Sequence, residues 1–401
     1  MAQLFDGIRV VELARHVAGP FAGKLLADYG ADVLKVEPPE GDPSRHEGPF
    51  KDDLPDRETS ALFLHLNTNK RSVTLNPEAP EGRALLRRLL DSADIVIEDF
   101  RPGQMADWGL GYDTLAEANP AVVMASISPF GQTGPWRDYR GSELTLQALG
   151  GPLHLNGSAH RYPIKSGGYV AHYHAGVAAA YGAILARFRV VRGGRGDHID
   201  QAVYEAQAGF RDRRTVYTTA TSYTGKVGRR QPPGSRPAMG ARPAGDGYVN
   251  IFAGGTKHFM ATLDLIGRSD LKEHPDATKP LQSYSPEFAE QVEGSWAAWL
   301  VQRTKREAIA ETQAIGLLGG AILTTQDLVE DPHYRQRGVW DTVDHPATGP
   351  VEYPGRPVIL SRTPRQPARR APLLGEHNAE VYCGLGCSEA DIERLRAEAV
   401  I

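Results

Sequence analysis

Strand-like and helix-like segments alternate along the first 130 residues, and this alternation limits the fold more than any other feature. "IRVVEL" (Ile8–Leu13) is β-rich and is followed by "AGPFAGKLLADYG", whose apolar spacing suits a helix ending at Gly30. "DVLKVEPP" (Asp32–Pro39) reads as a second strand, stopped by its prolines, and "RSVTLNP" (Arg71–Pro77) as a third. "PEGRALLRRLLDSA" is an amphipathic helix with proline near its start. "DIVIEDF" (Asp94–Phe100) and "AVVMASISPF" (Ala121–Phe130) read as two more strands. Strands alternating with helices predict a Rossmann-like, doubly wound parallel α/β sheet. Ligands of such sheets bind beyond the carboxyl ends of strands, here "ELARHVAGP", "EPPEGDPSR", "EDFRPG" and "SPFGQTGP".

Further along, a long small-residue helix runs from Ala175 to about Val191, with a turn, a short strand and a helix after it in "GGRGDHIDQAVYEAQAGF". Residues 225–251 are rich in Gly, Pro and Arg and read as a linker or mobile loop. "GYVNIFA", "TKHFMATLDLIG" and "PEFAEQVEGSWAAWLVQRT" then read as strand, helix and helix, so that 225–325 forms a smaller α+β domain. The tail from "DPHYRQRGVWDTV" to "PVILSR" is strand-like and proline-punctuated, and "EADIERLRAEAV" is a final helix.

Composition narrows the function. A net charge of −4 gives no reason to expect a nucleic-acid or anionic-membrane partner. No run approaches the ~18 apolar residues of a membrane span, and the N-terminal stretch has no long apolar core of a signal peptide. These features predict a cytoplasmic protein. Cys383 and Cys387 are the two cysteines; a C-x3-C pair reads as a metal or redox site, or as two reduced thiols near the last helix. No second Cys/His cluster is placed for zinc, so no metal is expected.

No G-x-G-x-x-G follows the first strand, so NAD is not expected. Arg45, Lys70, Arg71 and Arg101 lie near predicted strand ends and suit a phosphorylated ligand, or are ordinary surface bases. "SPFGQTGPW" (Ser128–Trp136) is either a loop for close backbone approach to a ligand or a tight turn. His172 and His174 stand at a helix start, where N–H groups disfavour imidazolium and favour a neutral base or nucleophile. The alternative is a hydrogen-bonded structural histidine. Residues i and i+2 of a helix do not face each other, which argues against a shared metal.

Taken in order, "VVELARHVAGPFAGKLLADYGADVLKVEPPEGDPSR", "LNTNKRSVTLN", "ADIVIEDFRPGQMADWGLGYDTL", "SISPFGQTGPW", "ELTLQALGG", "VRGGRGDHIDQAVYEA" and "EDPHYRQRGVW" resemble the family III CoA-transferases, the CaiB/BaiF type that includes formyl-CoA transferase. The resemblance implies a large Rossmann-like domain built from residues 1–224 and, on return, 326–401, with the smaller domain between. It also implies an interlocked, ring-like homodimer, or a heterodimer with a paralogue. Coenzyme A, as part of an acyl-CoA substrate, would lie by Arg15, His16, Val17 and Ala18, and by Lys70, Arg71, Asp99, Phe100 and Arg101. Arg140 falls where the formyl-CoA enzyme has a lysine near its active site, and Glu143 matches a glutamate there.

One departure bears on the reaction. Family III transferases carry a nucleophilic aspartate in patterns like G-x-x-x-x-D-x-x-x-G, and aligning "SGGYVAHYHAG" on its glycines puts His172 at that position. No aspartate occurs between Tyr139 and Arg195. In the α-methylacyl-CoA racemases a "GHD" histidine pairs with the same aspartate; here "GSE" puts Ser142 in its place. Acyl-imidazoles hydrolyse readily and are poor stores for an acyl group awaiting a second substrate, whereas a neutral imidazole suits proton transfer. Three readings follow: an enzyme acting on an acyl-CoA, and a carboxylate acceptor, with His172 in place of the aspartate and Glu143 as partner; a CoA-thioester lyase, isomerase or hydrolase with His172 as general base; or an inactive CoA-binding subunit of a heteromeric transferase. Tyr169, Tyr173 and the 228–244 loop are expected to select the acyl group.

Overall fold

The computed structural model describes residues 3–209, 212–230, 237–279 and 283–401. The chain divides into two compact units: Met1–Gly157 with Pro163–Arg229 and Gly338–Ile401, and Ser158–Tyr162 with Arg230–Arg337.

The large unit is built on six parallel strands: β1 (Arg9–Glu12), β2 (Asp32–Glu37), β3 (Arg71–Thr74), β4 (Ile95–Glu98), β5 (Val123–Ser128) and β6 (His198–Ala202). Their order, β3-β2-β1-β4-β5-β6, is the doubly wound parallel arrangement expected from the alternation of segments. The chain turns back between β1 and β4, so a crevice opens at their carboxyl ends. Both faces of the sheet are covered, which is why consecutive apolar residues, as in Val10–Val11 and Ile95–Ile97, occur in its central strands. Val11, Leu34, Val96 and Met124 pack under helices Pro80–Leu90 and Glu389–Ala397. Val10, Val33, Ile97 and Val123 alternate to the other face, under helices Ala18–Ala27 and Val170–Val191.

Residues from the far end of the chain complete the first of these layers. Tyr382 is fully buried and donates its hydroxyl to the Thr74 carbonyl at 2.6 Å. Asn378 donates to Thr74 Oγ1 at 2.7 Å, and Val400 accepts from the Asn76 amide at 2.8 Å.

The long helix begins at Val170, five residues before the start expected from its small-residue run. Its alanines and glycine face the first helix closely: a Cβ on Gly176 would lie 2.5 Å from the Ala18 carbonyl oxygen. Only a residue without a side chain fits there.

The smaller unit holds an antiparallel sheet of β7 (Met239–Ala244), β8 (Gly247–Phe252) and β9 (Leu318–Ile322) over a core that includes Phe259, Phe288 and Trp296. Much of the 225–251 segment is therefore not a linker. Its residues 239–252 form a hairpin, with Val249 and Ile251 turned inward and Pro243 tolerated on an edge strand. Residues 231–236 of that segment lie outside the described residues. In the tail, Trp340–His345 and Gly349–Pro354 pair as a hairpin, but "PVILSR" is not a strand; its Val358 and Ile359 are exposed. No helix among the described residues is long and apolar enough to cross a membrane.

Candidate active site

The helix Glu143–Leu149 is started by a capping box: Ser142 and Thr145 each take the other's backbone N–H. Ser142 is thus a cap. It turns Glu143, 8% exposed, toward the first turn of the long helix. There one carboxylate oxygen accepts from the Ala171 amide (2.8 Å) and Gln147 Nε2 (2.5 Å). The other accepts from the His172 amide (3.4 Å) and from His172 Nδ1 (2.7 Å). Burial alone would raise the Glu143 carboxyl, but the bonds from His172, Ala171 and Gln147 outweigh it and hold the group at about 2.

Glu143 is therefore ionised and can only accept, so Nδ1 of His172 carries a hydrogen. Nε2 is the ring position left for chemistry, on a side chain that is 21% exposed. The sequence-based expectation for this ring changes. The N–H groups at the helix start are occupied by a carboxylate, so His172 faces an anion and not a bare positive helix end. His174 does not share the site; its Nδ1 meets Gln207 at 3.1 Å.

Across from His172 stands His16, in the loop after β1. The two rings are 6.1 Å apart and perpendicular. Glu47 accepts from His16 Nε2 at 2.5 Å and from the Tyr169 hydroxyl at 2.6 Å. The His16 amide donates to Asp42 at 3.1 Å.

Beneath this loop lies a buried ion network: Lys35 bridges Asp42 (2.8 Å) and Glu12 (3.2 Å), and Lys70 pairs with Glu12 at 2.8 Å. Lys70 is thus buried and does not line the crevice; burial pulls its ammonium down to about 8 against the pull of Glu12. Arg71 is not there either. It opens β3, at the edge of the sheet away from the crevice, tied to Asp32 (2.7 Å) and Glu380 (3.0 Å). Arg45 is fully buried and forks onto Glu37 at 2.7 and 2.9 Å.

The crevice itself is a cavity of about 540 Å³, lined among others by Arg15, Leu75, Phe100, Arg101, Gln104 and Trp108. Arg15 lies with its guanidinium 5.4 Å from the Phe100 ring centre and its amide on Asp99 at 2.8 Å. Burial pushes the Asp99 carboxyl up to about 6, against the opposing pull of Arg15. Arg101 pairs with Asp107 at 2.6 Å in solvent. Val17 and Ala18 are buried at the first turn of the first helix, and Arg140 is exposed two residues before Ser142. Leu75 to Glu78 also line the crevice and were not anticipated. The signal was available: they follow β3 at its carboxyl end, whereas Lys70 and Arg71 precede it or open it. Loop Ser128–Trp136 closes as a tight turn held by Asp200, which accepts from the Gln132 amide at 3.0 Å, with Gly131 at φ +92°.

The residue model of CoA-transferase family III matches positions 5–378. Succinyl-CoA–D-citramalate CoA-transferase of Chloroflexus aurantiacus is 33% identical over 99% of this chain and 98% of its own. Formyl-CoA:oxalate CoA-transferase of Streptomyces avermitilis is 32% identical over the full length of both. Among solved structures, a CaiB/BaiF family protein from Brucella suis superposes with a TM-score of 0.83 at 31% identity, covering 96% of this chain and 100% of that one. Matched from residue 5 to residue 378 and nearly end to end by these relatives, the chain is an enzyme of CoA-transferase family III.

Proposed function

We propose that this enzyme binds an acyl-CoA with its coenzyme A portion in the crevice between β1 and β4 and its acyl carbon at His172, and moves CoA to a carboxylate acceptor. The observation that carries this reading is the 2.7 Å bond from His172 Nδ1 to Glu143, which leaves Nε2 as the reacting position. Consecutive residues link the two regions: Arg15 lines the crevice and His16 stands by His172. The family and the transferase names of the relatives support transfer as the outcome.

The chemistry balances without a carboxylate nucleophile. The Nε2 lone pair attacks the thioester carbon, the C–S bond breaks, and CoA leaves as thiolate. Glu143 is the counter-charge of the acyl-imidazolium so formed. An acceptor carboxylate attacks the acyl carbon, the C–N bond breaks, and a mixed anhydride forms. The retained thiolate attacks the acceptor carbonyl, giving the new thioester and releasing the original acid. Because acyl-imidazoles hydrolyse, the acceptor must be bound before the thioester opens.

A second reading, acceptor-independent proton transfer α to the thioester, is favoured by the presence of two imidazoles at 6.1 Å in one site. Either reaction suits an interlocked homodimer, or a heterodimer with a paralogue; the exposed stripe Val177, Tyr181, Leu185 and Phe188 on the long helix supports burial against another chain. Incubating the purified protein with a panel of acyl-CoA thioesters, with and without carboxylate acceptors, tests the proposal by mass spectrometry. New thioesters that require the acceptor are expected. Acceptor-independent products or α-deuterium uptake in D2O favour the second reading, and turnover undiminished in His172→Ala removes His172 from both.

A further inference from the structure

His16 is held more firmly than a surface-loop residue needs to be. Its φ is +65°, a conformation that a non-glycine side chain adopts only against a local penalty. Such strain persists where the surroundings over-determine it, and here they do. Asp42, itself fixed by Lys35, takes the backbone N–H. Glu47 takes ring Nε2. The Tyr169 ring packs edge-on at 4.8 Å.

Glu47 binds both sides of this arrangement. Its second oxygen accepts the Tyr169 hydroxyl, and that bond, with burial, pushes the Tyr169 phenol up to about 12. Tyr169 immediately precedes the long helix that carries His172 three residues later. His16 and His172 are thus fixed to each other by a short chain of hydrogen bonds and one helical turn. Each ring gives one nitrogen to a carboxylate, Glu47 or Glu143. Among the described residues, Nδ1 of His16 and Nε2 of His172 have no protein partner.

We infer that His16, clamped by Glu47 and Tyr169, is a second reacting imidazole of this site and acts on the thioester carbonyl oxygen while His172 acts on the carbon or its neighbour. Nε2–H is given to Glu47, whose carboxylate is the counter-charge when Nδ1 also carries a hydrogen. Nδ1–H hydrogen-bonds to the carbonyl oxygen, the proton moves toward that oxygen as negative charge develops there, and it returns when the C–S bond breaks. The same donor stabilises an enolate oxygen if His172 removes an α-proton, so the role holds for both reactions. The inference rests on His172 being the attacking group, and the tests separate the two claims.

His16→Gly accepts positive φ without strain and removes the ring. In the full chain it should lower kcat roughly 10²-fold, leave KM for acyl-CoA within about threefold, and recover rate when free imidazole is added. CoA binding, followed by Trp108 fluorescence, should be unchanged. Full activity in His16→Gly, or lost activity that imidazole does not rescue while CoA still binds, overturns the inference. If His172→Ala abolishes turnover and His16→Gly does not alter it, this claim alone fails; if His172→Ala is fully active, the claim about His172 fails. A readout independent of turnover is the 15N resonance of His16 Nδ1 on binding acetonyl-CoA, a ketone-bearing thioether that does not react. A shift is expected, and an unmoved resonance at saturation rejects the contact.

Discussion

Glu143→Gln tests the centre of the site with almost no change of shape. The carboxylate accepts four hydrogen bonds, from the Ala171 and His172 amides, Gln147 and His172 Nδ1. An amide keeps one oxygen and presents an NH2 where the other oxygen stood. If the oxygen stays on the Ala171 amide, the NH2 faces His172, and Nδ1 must become an acceptor. The hydrogen then sits on Nε2, and the reacting lone pair is gone. Loss of the charge at the helix start removes about 1 kcal/mol. Exchanging charge-assisted for neutral bonds removes about 1 to 2 kcal/mol more. Unfolding in denaturant at pH 7 should therefore show a loss of about 2 to 3 kcal/mol. The rate should fall roughly 10²- to 10⁴-fold, or about 3 to 5 kcal/mol in the barrier. The acid limb of stability gives a third readout. The Glu143 carboxyl is lowered from 4.5 to about 2, so its contribution is complete above pH 4.5 and disappears as pH falls toward 2. The variant should lack that part of the decline. Stability unchanged within about 0.5 kcal/mol, together with a rate within threefold of the parent, would refute the pairing as the organising contact of the site.

Other substitutions probe separate links. Burial raises the Glu98 carboxyl from 4.5 to about 7, so the fold favours its neutral form; that contribution is complete below pH 4.5 and is lost as pH rises through 7. Glu98→Gln should flatten this fall, on the order of 3 kcal/mol at most, in melting temperature measured from pH 5 to 8; an unchanged slope would exclude Glu98 as its source. Gly176→Ala forces a methyl against the Ala18 carbonyl and should destabilise the protein by about 1 to 3 kcal/mol, read by chemical denaturation; a neutral result would mean that the two helices part easily. His172→Asp sets two carboxyls side by side and should yield an acyl- or CoA-linked enzyme trappable with hydroxylamine and visible by intact mass. Absence of any adduct across pH 5 to 9 would show that more than the missing carboxylate separates this site from an aspartate-based one.

The sheet was legible because strands buried on both faces leave continuous apolar runs, as in Val10–Val11 and Val33–Leu34. The start of the long helix was not, because its capping group, Glu143, lies 27 residues before Val170 in the chain. Tyr169, at the cap position, takes no N–H of that turn on its own side chain. Basic residues near the loops looked alike in sequence, yet Lys70 neutralises a buried glutamate, Arg71 braces the amino edge of the sheet, and Arg15 and Arg101 line the crevice. The His16–Glu47 contact joins residues 31 positions apart and has no local signature. The second strand of the 239–252 hairpin was legible in "GYVNIFA", but the first, "MGARPA", was hidden by its glycine, arginine and proline.

The return of Gly338–Ile401 to the large unit has a consequence for how the protein is made. The place beside Thr74 that Tyr382 fills stays open while Arg230–Arg337 is being synthesised. The smaller unit draws nearly all its residues from one continuous stretch that is complete once Arg337 is made, so it is able to fold before the large unit is finished. The sheet of the large unit meanwhile has helix Pro80–Leu90 on one face but lacks Tyr382, Ile392 and Leu395 there, and a nascent chain stalled within the inserted unit exposes the apolar side chains that these three residues cover.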